Sequence, residues 1–156
     1  MTRIIIGRTG NQVVVDDEDA DLALLHWWIE QRGYARRREA KKTVYLHRLI
    51  AERIFGPLGT MQADHINRDA RDNRRANLRL ATHSENMVNA KKRRDAKTSR
   101  FKGVSWFKPS KSWRAHINVN RKQISLGYFD EEAEAAKAYD DAAKAIYGDF
   151  ANLNLE

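Results

Sequence analysis

Residues 63–94 read ADHINRDARDNRRANLRLATHSENMVNAKKRR, and no other segment says as much about the fold. The part ending in Asp64-His65 predicts a short strand, and NLRLAT (77–82) predicts a second strand beyond a polar loop rich in Asn, Asp and Arg. HSENMVN (83–89) then predicts a helix. Two strands followed by a helix bring distant polar side chains close together, so the segment predicts a compact ββα unit.

Three side chains in this unit are candidates for phosphodiester chemistry. Asp64 offers a carboxylate and Asn86 a carbonyl oxygen, which are donors that magnesium or manganese accepts, with water and a substrate phosphate filling the other positions. By strand parity His65 points away from Asp64, where a base that activates water is expected; a purely structural role for this histidine stays open. The chain has no cysteine, which excludes disulfides and Cys-ligated zinc.

The N-terminal part predicts two hairpins. IIIGRTGNQVVV (4–15) predicts a strand pair, and RGYARRREAKKTVYLHRLIAERIFG (32–56) predicts a second hairpin that enters a helix. Five basic residues crowd this second hairpin: Arg36, Arg37, Arg38, Lys41 and Lys42. They could grip phosphates, or they could form a solvated strand edge that discourages pairing with other chains. Trp27 and Trp28, which precede the hairpin, are expected in the core.

The last third of the chain predicts a three-stranded antiparallel sheet packed on one helix. FKGVSWFK, WRAHINVN and KQISLGYF are β-rich segments separated by turns. The middle segment alternates strictly, so one face of the sheet is apolar and the other carries polar and cationic groups. DEEAEAAKAYDDAAKAIYG (130–148) predicts a helix with an alanine-rich stripe for close packing on the sheet. Trp106 shares its parity with Val104, which favours core packing over base contact.

The charge pattern points to a polyanionic partner. Of 156 residues, 29 are Lys or Arg and 21 are Asp or Glu, for a net charge of +8. Residues 99–129 hold seven basic side chains and no acid, whereas residues 130–156 hold two basic and eight acidic ones. A cationic face opposite an acidic back suits duplex DNA, although a solvated, salt-bridged surface is the alternative. No apolar run reaches the roughly 18 residues that a membrane span needs, and the N-terminus lacks a signal-peptide core. A cytoplasmic protein without membrane or obligatory protein partners is therefore expected.

DHIN, DNRRANLRLAT and SENMVN follow one another in the order found in the HNH nucleases of the ββα-metal fold, and the resemblance covers residues 44–92. It implies that His65 is the general base, that Asn77 braces the loop orienting it, and that one divalent ion, magnesium or manganese, is held by Asp64 and Asn86. His47 is implied to touch a phosphate or support the site, or else to be a core histidine. His83 is a weaker candidate for a supporting or ligand role. No structural zinc is expected.

FKGVSWFKPSKSWRAHI, SLGYFD and EEAEAAKAYDDAAKAIYGDFANLN resemble the DNA-binding domain of plant ethylene-response factors of the APETALA type, which also occurs in phage and bacterial homing endonucleases. The resemblance covers residues 99–156 and implies that the sheet lies in the major groove with the helix behind it. The plant target sequence is not implied, because the plant domain carries Arg or Trp at several of these positions. The residues expected to contact DNA, including nearby basic side chains, are Arg93, Arg94, Lys102, Ser105, Phe107, Lys108, Arg114, His116, Asn118, Lys122, Gln123 and Ser125.

Together these features predict an α+β chain with three parts: an HNH nuclease domain over residues 1–92 with its motif core at 44–92, a basic linker over 93–98, and a DNA-binding domain over 99–156. The predicted function is a metal-dependent DNA endonuclease of the homing type, in a bacterial or phage-infected cell, with its sites selected by the C-terminal sheet. One alternative is a non-catalytic, sequence-specific regulator with a decayed nuclease domain, which the intact candidate side chains argue against. An RNA-binding protein would explain the charge but not the ordered motifs.

Overall fold

The computed structural model describes residues 1–7, 10–90 and 98–155. It divides the chain into two compact units, Met1–Thr82 and His83–Glu156. Both units combine helices with antiparallel sheets, so the predicted α+β class is confirmed. The predicted linker contacts Arg93 and Arg94 lie outside the described residues. Among the helices in the described ranges, none has the combined length and apolar character needed to cross a membrane.

The first unit is built from short antiparallel strands and one helix of ten residues. In chain order its elements are β1 (Thr2–Ile6), β2 (Gln12–Asp16), a 3₁₀ helix (Asp17–Leu24), β3 (Trp28–Ile29), β4 (Ala35–Glu39), β5 (Lys42–Tyr45), α1 (Leu46–Phe55), β6 (Gln62–His65), a 3₁₀ turn (Arg75–Asn77) and β7 (Leu78–Ala81). β1 pairs with β2, β6 pairs with β7, and β4 is the central strand between β3 and β5. Both predicted hairpins and the strand pair around the polar loop are confirmed.

The core of the first unit follows from strand alternation. Val13 and Val15 on β2 are fully buried, and they pack in one cluster with Leu46 and Ile50 of α1. Trp27 is 1% exposed and donates its indole N–H to the carbonyl of Leu22 at 2.8 Å. The adjacent Trp28 is 49% exposed, because on β3 it is Ile29 that faces the core. The expectation that both tryptophans are buried is therefore right for Trp27 and wrong for Trp28.

The second unit is the predicted sheet with a helix on one side. In chain order its elements are α2 (His83–Asn89), β8 (Val104–Phe107), β9 (Ser112–Val119), β10 (Lys122–Phe129), α3 (Glu132–Tyr147) and a 3₁₀ turn (Gly148–Phe150). The strands are antiparallel in the order β10-β9-β8. Because α2 contacts α3 and the last 3₁₀ turn, the division between the units falls at Thr82, ahead of the residue 92 boundary that the motifs predict.

α3 lies close to the sheet because small side chains line the contact. Ala115 on β9 clusters with Ala135 and Ala136, all fully buried, and Ile117 clusters with Tyr139 and Ala143 of α3. Gly103 has a φ of +71°, and a Cβ at this position would collide with the Tyr139 ring. The close approach of helix and strand therefore requires glycine here. The predicted apolar face of β9 is confirmed.

Candidate active site and DNA-facing surface

Asp64 and His65 are the last two residues of β6, and each is 5% exposed. In the β6–β7 register Asp64 lies opposite Arg79, and His65 lies opposite Leu78. The Arg79 guanidinium donates from Nε to Oδ2 of Asp64 at 2.9 Å, and both side chains of this ion pair are largely buried. A charged hydrogen bond inside the protein is strong, so Arg79 fixes the orientation of the carboxylate.

A side chain that the sequence did not single out orients His65. Asn73 is 1% exposed, and its Oδ1 lies 3.3 Å from Nε2 of His65. The Asn73 amide nitrogen donates to the carbonyls of Ala70 and Arg71, each at 3.3 Å, so its oxygen is left to accept from the histidine. In the neutral ring Nε2 then carries the proton and Nδ1 the lone pair. The geometry thus selects one tautomer of His65.

Asn77 closes the loop that carries Asn73. Its Oδ1 accepts from the backbone N–H of Asn67 at 2.9 Å, and its Nδ2 donates to Asn67 Oδ1 at 2.9 Å and to the carbonyl of Asp72 at 2.7 Å. The loop is also tied to β2, because Val14 accepts from the Asn73 N–H at 2.8 Å. Buried polar groups satisfied in this way hold a single geometry. Asn77 therefore ties the two sides of this loop together.

His47 lies in a cluster of four rings, which we call the aromatic cluster: Tyr34, Tyr45, His47 and His65. The centroids of the two histidine rings are 5.2 Å apart, and His47 is 8% exposed. Burial lowers the pKa of His47 to about 3, with further contributions from the charges of His65 and Arg48. Burial also lowers the pKa of His65. Both imidazoles are therefore neutral near pH 7, as a proton acceptor must be.

Tyr34 stands at the rim of this cluster and was missed by the sequence analysis. Its ring is 36% exposed and lies 6.1 Å from that of His65 and 5.4 Å from that of His47. Burial and the negative charge of Asp64 raise the pKa of its hydroxyl. It therefore stays protonated as a hydrogen-bond donor. No spacing in RGYARRR distinguishes this tyrosine from an ordinary strand residue, so only the fold reveals it.

The two remaining candidates of the nuclease motif belong to the second unit. His83 is the exposed first residue of α2, and Asn86 is partly buried on the same helix. Over the ranges that the structure describes, no group of three or more His, Cys, Asp or Glu side chains is placed to hold a metal. The Asp64 carboxylate is nevertheless a hard oxygen donor of the kind that suits a divalent cation. An ion there would take many of its ligands from water and substrate.

In the second unit a polar face of the sheet lies opposite α3. Arg114, His116 and Asn118 of β9 alternate with the buried Ala115 and Ile117. Each has polar neighbours across the sheet, where Ser105 pairs with Arg114, Ser125 with His116 and Gln123 with Asn118. Six of the residues expected to face DNA thus share one continuous surface, which we call the outer sheet face: Ser105, Arg114, His116, Asn118, Gln123 and Ser125.

A tyrosine joins this surface because of an irregularity in β10. The register shifts between Ser125 and Gly127, so Tyr128 comes to lie opposite Arg114. Tyr128 is 52% exposed, and its ring lies 5.1 Å from that of Phe107, which the sequence analysis expected on this face. A strict alternation through KQISLGYF places Tyr128 on the opposite side. The glycine at 127 is the one sequence signal of a bulge.

Three other candidates of the second unit are placed differently. Lys102 directs its ammonium to the carbonyls of Met87, Val88 and Ala90 at the end of α2, which corrects its expected place on the DNA-facing surface. A cationic side chain that hydrogen-bonds the carbonyls in the last turn of a helix stabilises that helix end. Lys122 pairs with Val119 and so belongs to the row on the α3 side of the sheet. Lys108 is exposed in the β8–β9 turn. Trp106 contacts Trp113 with ring centroids 5.1 Å apart, but it is 38% exposed, so the expected core packing is wrong for this ring.

Comparison with known proteins agrees with this division. Residues 44–88 match the family described as HNH endonuclease, and residues 99–149 match the AP2 domain. An uncharacterized HNH endonuclease of Acanthamoeba polyphaga mimivirus is 28% identical over 130 residues, which cover 82% of this chain and 66% of that protein.

Two plant proteins match the C-terminal part. An AP2-like ethylene-responsive transcription factor of Arabidopsis thaliana is 38% identical over 60 residues, and an APETALA2-like protein of Oryza sativa is 37% identical over the same length. These matches cover 38% of this chain but only 12% and 14% of the plant proteins. The chain therefore contains a segment that matches the HNH endonuclease family, followed by one that matches the AP2 domain, in the order that its motifs predict.

Proposed function

We propose that this protein is a metal-dependent DNA endonuclease of the homing type, in which the HNH segment supplies the cleavage site and the AP2 domain selects the sequence. The observation that carries the proposal is the buried pair Asp64 and His65, with the histidine held in one tautomer by Asn73. This hydrogen bond assigns the Nε2 proton to Asn73, which is the tautomer in which Nδ1 can act as the proton acceptor. The HNH match over residues 44–88 supports the same assignment.

In this proposal His65 takes a proton from the water that attacks the scissile phosphate. The lone pair on Nδ1 accepts the proton, while Nε2–H stays bound to Asn73 and keeps the ring fixed. Asn77 acts through the loop as a positioning residue, because its amide holds Asn67 and the carbonyl of Asp72. Proton transfer by a positioned base contributes about 10²–10⁴ in rate.

The proposed metal ligands are Asp64 and Asn86, as the motif implies. HNH nucleases generally use a divalent metal, and the ion, magnesium or manganese, would neutralise charge on the departing oxygen when bound. The oxygen donors of these two side chains fit a hard cation. Arg79 keeps the Asp64 carboxylate in place through the 2.9 Å ion pair, so that the ligand does not turn away.

The outer sheet face is the proposed reader of the DNA sequence. It presents a guanidinium, an imidazole, two amides and two hydroxyls, and groups of these types bond to base edges in the major groove. A nuclease motif with few base contacts cuts without preference, whereas a tethered reader raises its local concentration at chosen sites. The AP2 match over residues 99–149 supports this division of labour.

The experiment is a cleavage selection on randomised duplexes, with the cut ends sequenced. We expect products with magnesium or manganese, and none with a chelator. Asp64→Asn keeps the shape of the side chain but removes its charge, so it should abolish cleavage while leaving duplex affinity nearly unchanged. Arg3→Ala, on the exposed face of β1, is the matched control and should cut normally.

The opposite result is equally informative. Tight, sequence-selective binding without metal-dependent products from any duplex in the pool would overturn the nuclease proposal and favour a DNA-binding regulator. Cleavage products that still form in the presence of chelator would overturn the proposed dependence on a divalent metal.

A further inference from the structure

We propose that the outer face of the sheet β3–β5 in the first unit binds the sugar–phosphate backbone of the DNA strand that flanks the cleaved bond. We call this surface the β4 face, and it consists of Trp28, Arg36, Arg38, Thr43 and Tyr45. The inference rests on the proposed function for the position of the cleaved bond. Its test measures DNA binding in the absence of cleavage, so the result does not depend on whether the protein is a nuclease.

The strand order decides between the two interpretations of the basic hairpin. Arg36, Arg37 and Arg38 lie on β4, which is the central strand of the sheet and is paired on both sides. A central strand needs no protection against pairing with other chains, so edge protection does not account for these arginines. Of the two interpretations, phosphate binding is the one that a central strand allows.

The register shows which side chains share the outer face. Ile29 and Ala35 pair across β3 and β4, and both are 1% exposed, so their row faces the core. The next row, Trp28–Arg36–Tyr45, therefore faces outward, and Arg38 and Thr43 continue it. Trp28 is 49% exposed, and a cavity of about 310 Å³ lies beside it, lined in part by Arg36 and Arg38.

The charge of this region suits a phosphate backbone. Residues 28–45 contain six basic and two acidic side chains. Glu30 pairs with Arg36 at 2.6 Å, and Glu39 pairs with Arg37 at 2.6 Å. Arg38, by contrast, donates to a backbone carbonyl, that of Lys41, at 3.5 Å. Its charge is offset by no acidic partner in the described residues, so it is the strongest candidate for a phosphate contact.

The β4 face is continuous with the proposed site of cleavage. Tyr45 belongs to both the β4 face and the aromatic cluster, and its ring lies 5.7 Å from that of His47. His47 in turn lies 5.2 Å from His65, and Tyr34 contacts all three of these rings. A strand laid along the arginines and Trp28 therefore leads directly to the base.

The test measures duplex binding by the full chain as a function of salt, in chelator so that nothing is cut. The probe is a fluorescent duplex enriched from a random pool by the protein itself. Arg38→Ala should weaken binding and lower the slope of log Kd against log salt by about 0.9, the value for one lost phosphate contact. Trp28→Ala should weaken binding with the slope unchanged, because it removes no charge.

Arg3→Ala is the matched control, since Arg3 is an exposed arginine of β1 that pairs with Asp17 and does not belong to the β4 face, and it should leave the slope unchanged. An unchanged slope for Arg38→Ala, or an equal change for Arg3→Ala, would overturn the inference. So would an effect confined to a single-stranded RNA probe. If Arg38→Ala lowers the slope of log Kd against log salt but the wild-type protein cleaves no duplex, the β4 face still binds phosphates and only the nuclease proposal is overturned. The two failures are therefore distinguishable.

Discussion

The β6–β7 loop and the outer sheet face are both rich in polar side chains, but they hold them in opposite ways. In the loop, Asn73 and Asn77 are at most 8% exposed and bond within the protein. On the outer sheet face, Asn118 and Gln123 are exposed. Buried polar groups need internal partners, so the geometry around His65 is set before any ligand arrives. Exposed groups find their partners in the ligand, so they are suited to reading it.

The largest effect expected from this contrast is on cleavage. His65→Ala removes the proposed base from its fixed position and should slow cleavage about 10²–10⁴-fold, with the duplex Kd changed by less than about twofold. Single-turnover cleavage and equilibrium binding of the same duplex measure the two quantities. Equal losses in both would show that this histidine is structural, and the contrast between the two regions would then fail.

The second effect is on stability. Asn77→Ala removes three hydrogen bonds and leaves the groups of Asn67 and Asp72 without those partners, so the free energy of unfolding should fall by about 2–3 kcal/mol. Asn118→Ala is the matched control on the outer sheet face, and it should change that free energy by no more than about 0.5 kcal/mol. Urea denaturation of both variants measures the difference. Similar losses of unfolding free energy in the two variants would contradict the distinction between the buried loop and the exposed outer sheet face.

The third effect is on recognition. Gln123→Ala should cost about 1–3 kcal/mol of binding free energy and relax the preference at one base pair, because an amide reads a base edge through paired hydrogen bonds. Its free energy of unfolding should stay close to that of the wild type. The measurement is a selection on randomised duplexes, compared position by position. An equal loss of affinity for all DNA sequences would show that Gln123 contacts the sugar–phosphate backbone of the DNA and not a base.

The smallest effect concerns the pH dependence of stability. The folded-state pKa of His47 is lowered to about 3, so below pH 6.5 the unfolded chain takes up a proton that the folded chain does not. Its contribution to the free energy of unfolding is complete above pH 6.5 and should decline by about 1.4 kcal/mol per pH unit below it. His47→Gln should flatten that slope in denaturation at pH 5.5 and 6.5. An identical slope in both proteins would show that His47 is protonated in the fold.

The sequence predicted the elements of both regions because each has a clear period or motif. Strict alternation in WRAHINVN identified the buried and exposed faces of β9, and the order of DHIN, DNRRANLRLAT and SENMVN identified the ββα unit. The features that the sequence did not predict depend on how the strands pair with one another. Trp27 and Trp28 are the same residue type side by side, and only the register with β4 separates a core ring from a surface ring.

Two further residues show the same limit. Asn73 is one of several polar residues in a loop without periodicity, so nothing local marks it as the partner of His65. Lys102 has the composition and position of a phosphate contact, yet it bonds to carbonyls of a helix that ends 13 residues earlier in the chain. Long-range partners of this kind come from packing and are not encoded in any short pattern.

The contact of Lys102 with the end of α2 also limits how freely the C-terminal recognition domain could be replaced by another. α2 carries Asn86, and its last carbonyls are held by Lys102 and, at Ala90, by the Asn152 amide at 3.3 Å. A chimera joined after residue 92 to a foreign recognition module would discard both anchors and fray the helix it meant to keep. Recombination that preserves residues 83–155 as one cassette retains them. Evolutionary shuffling of such chains would be subject to the same restriction.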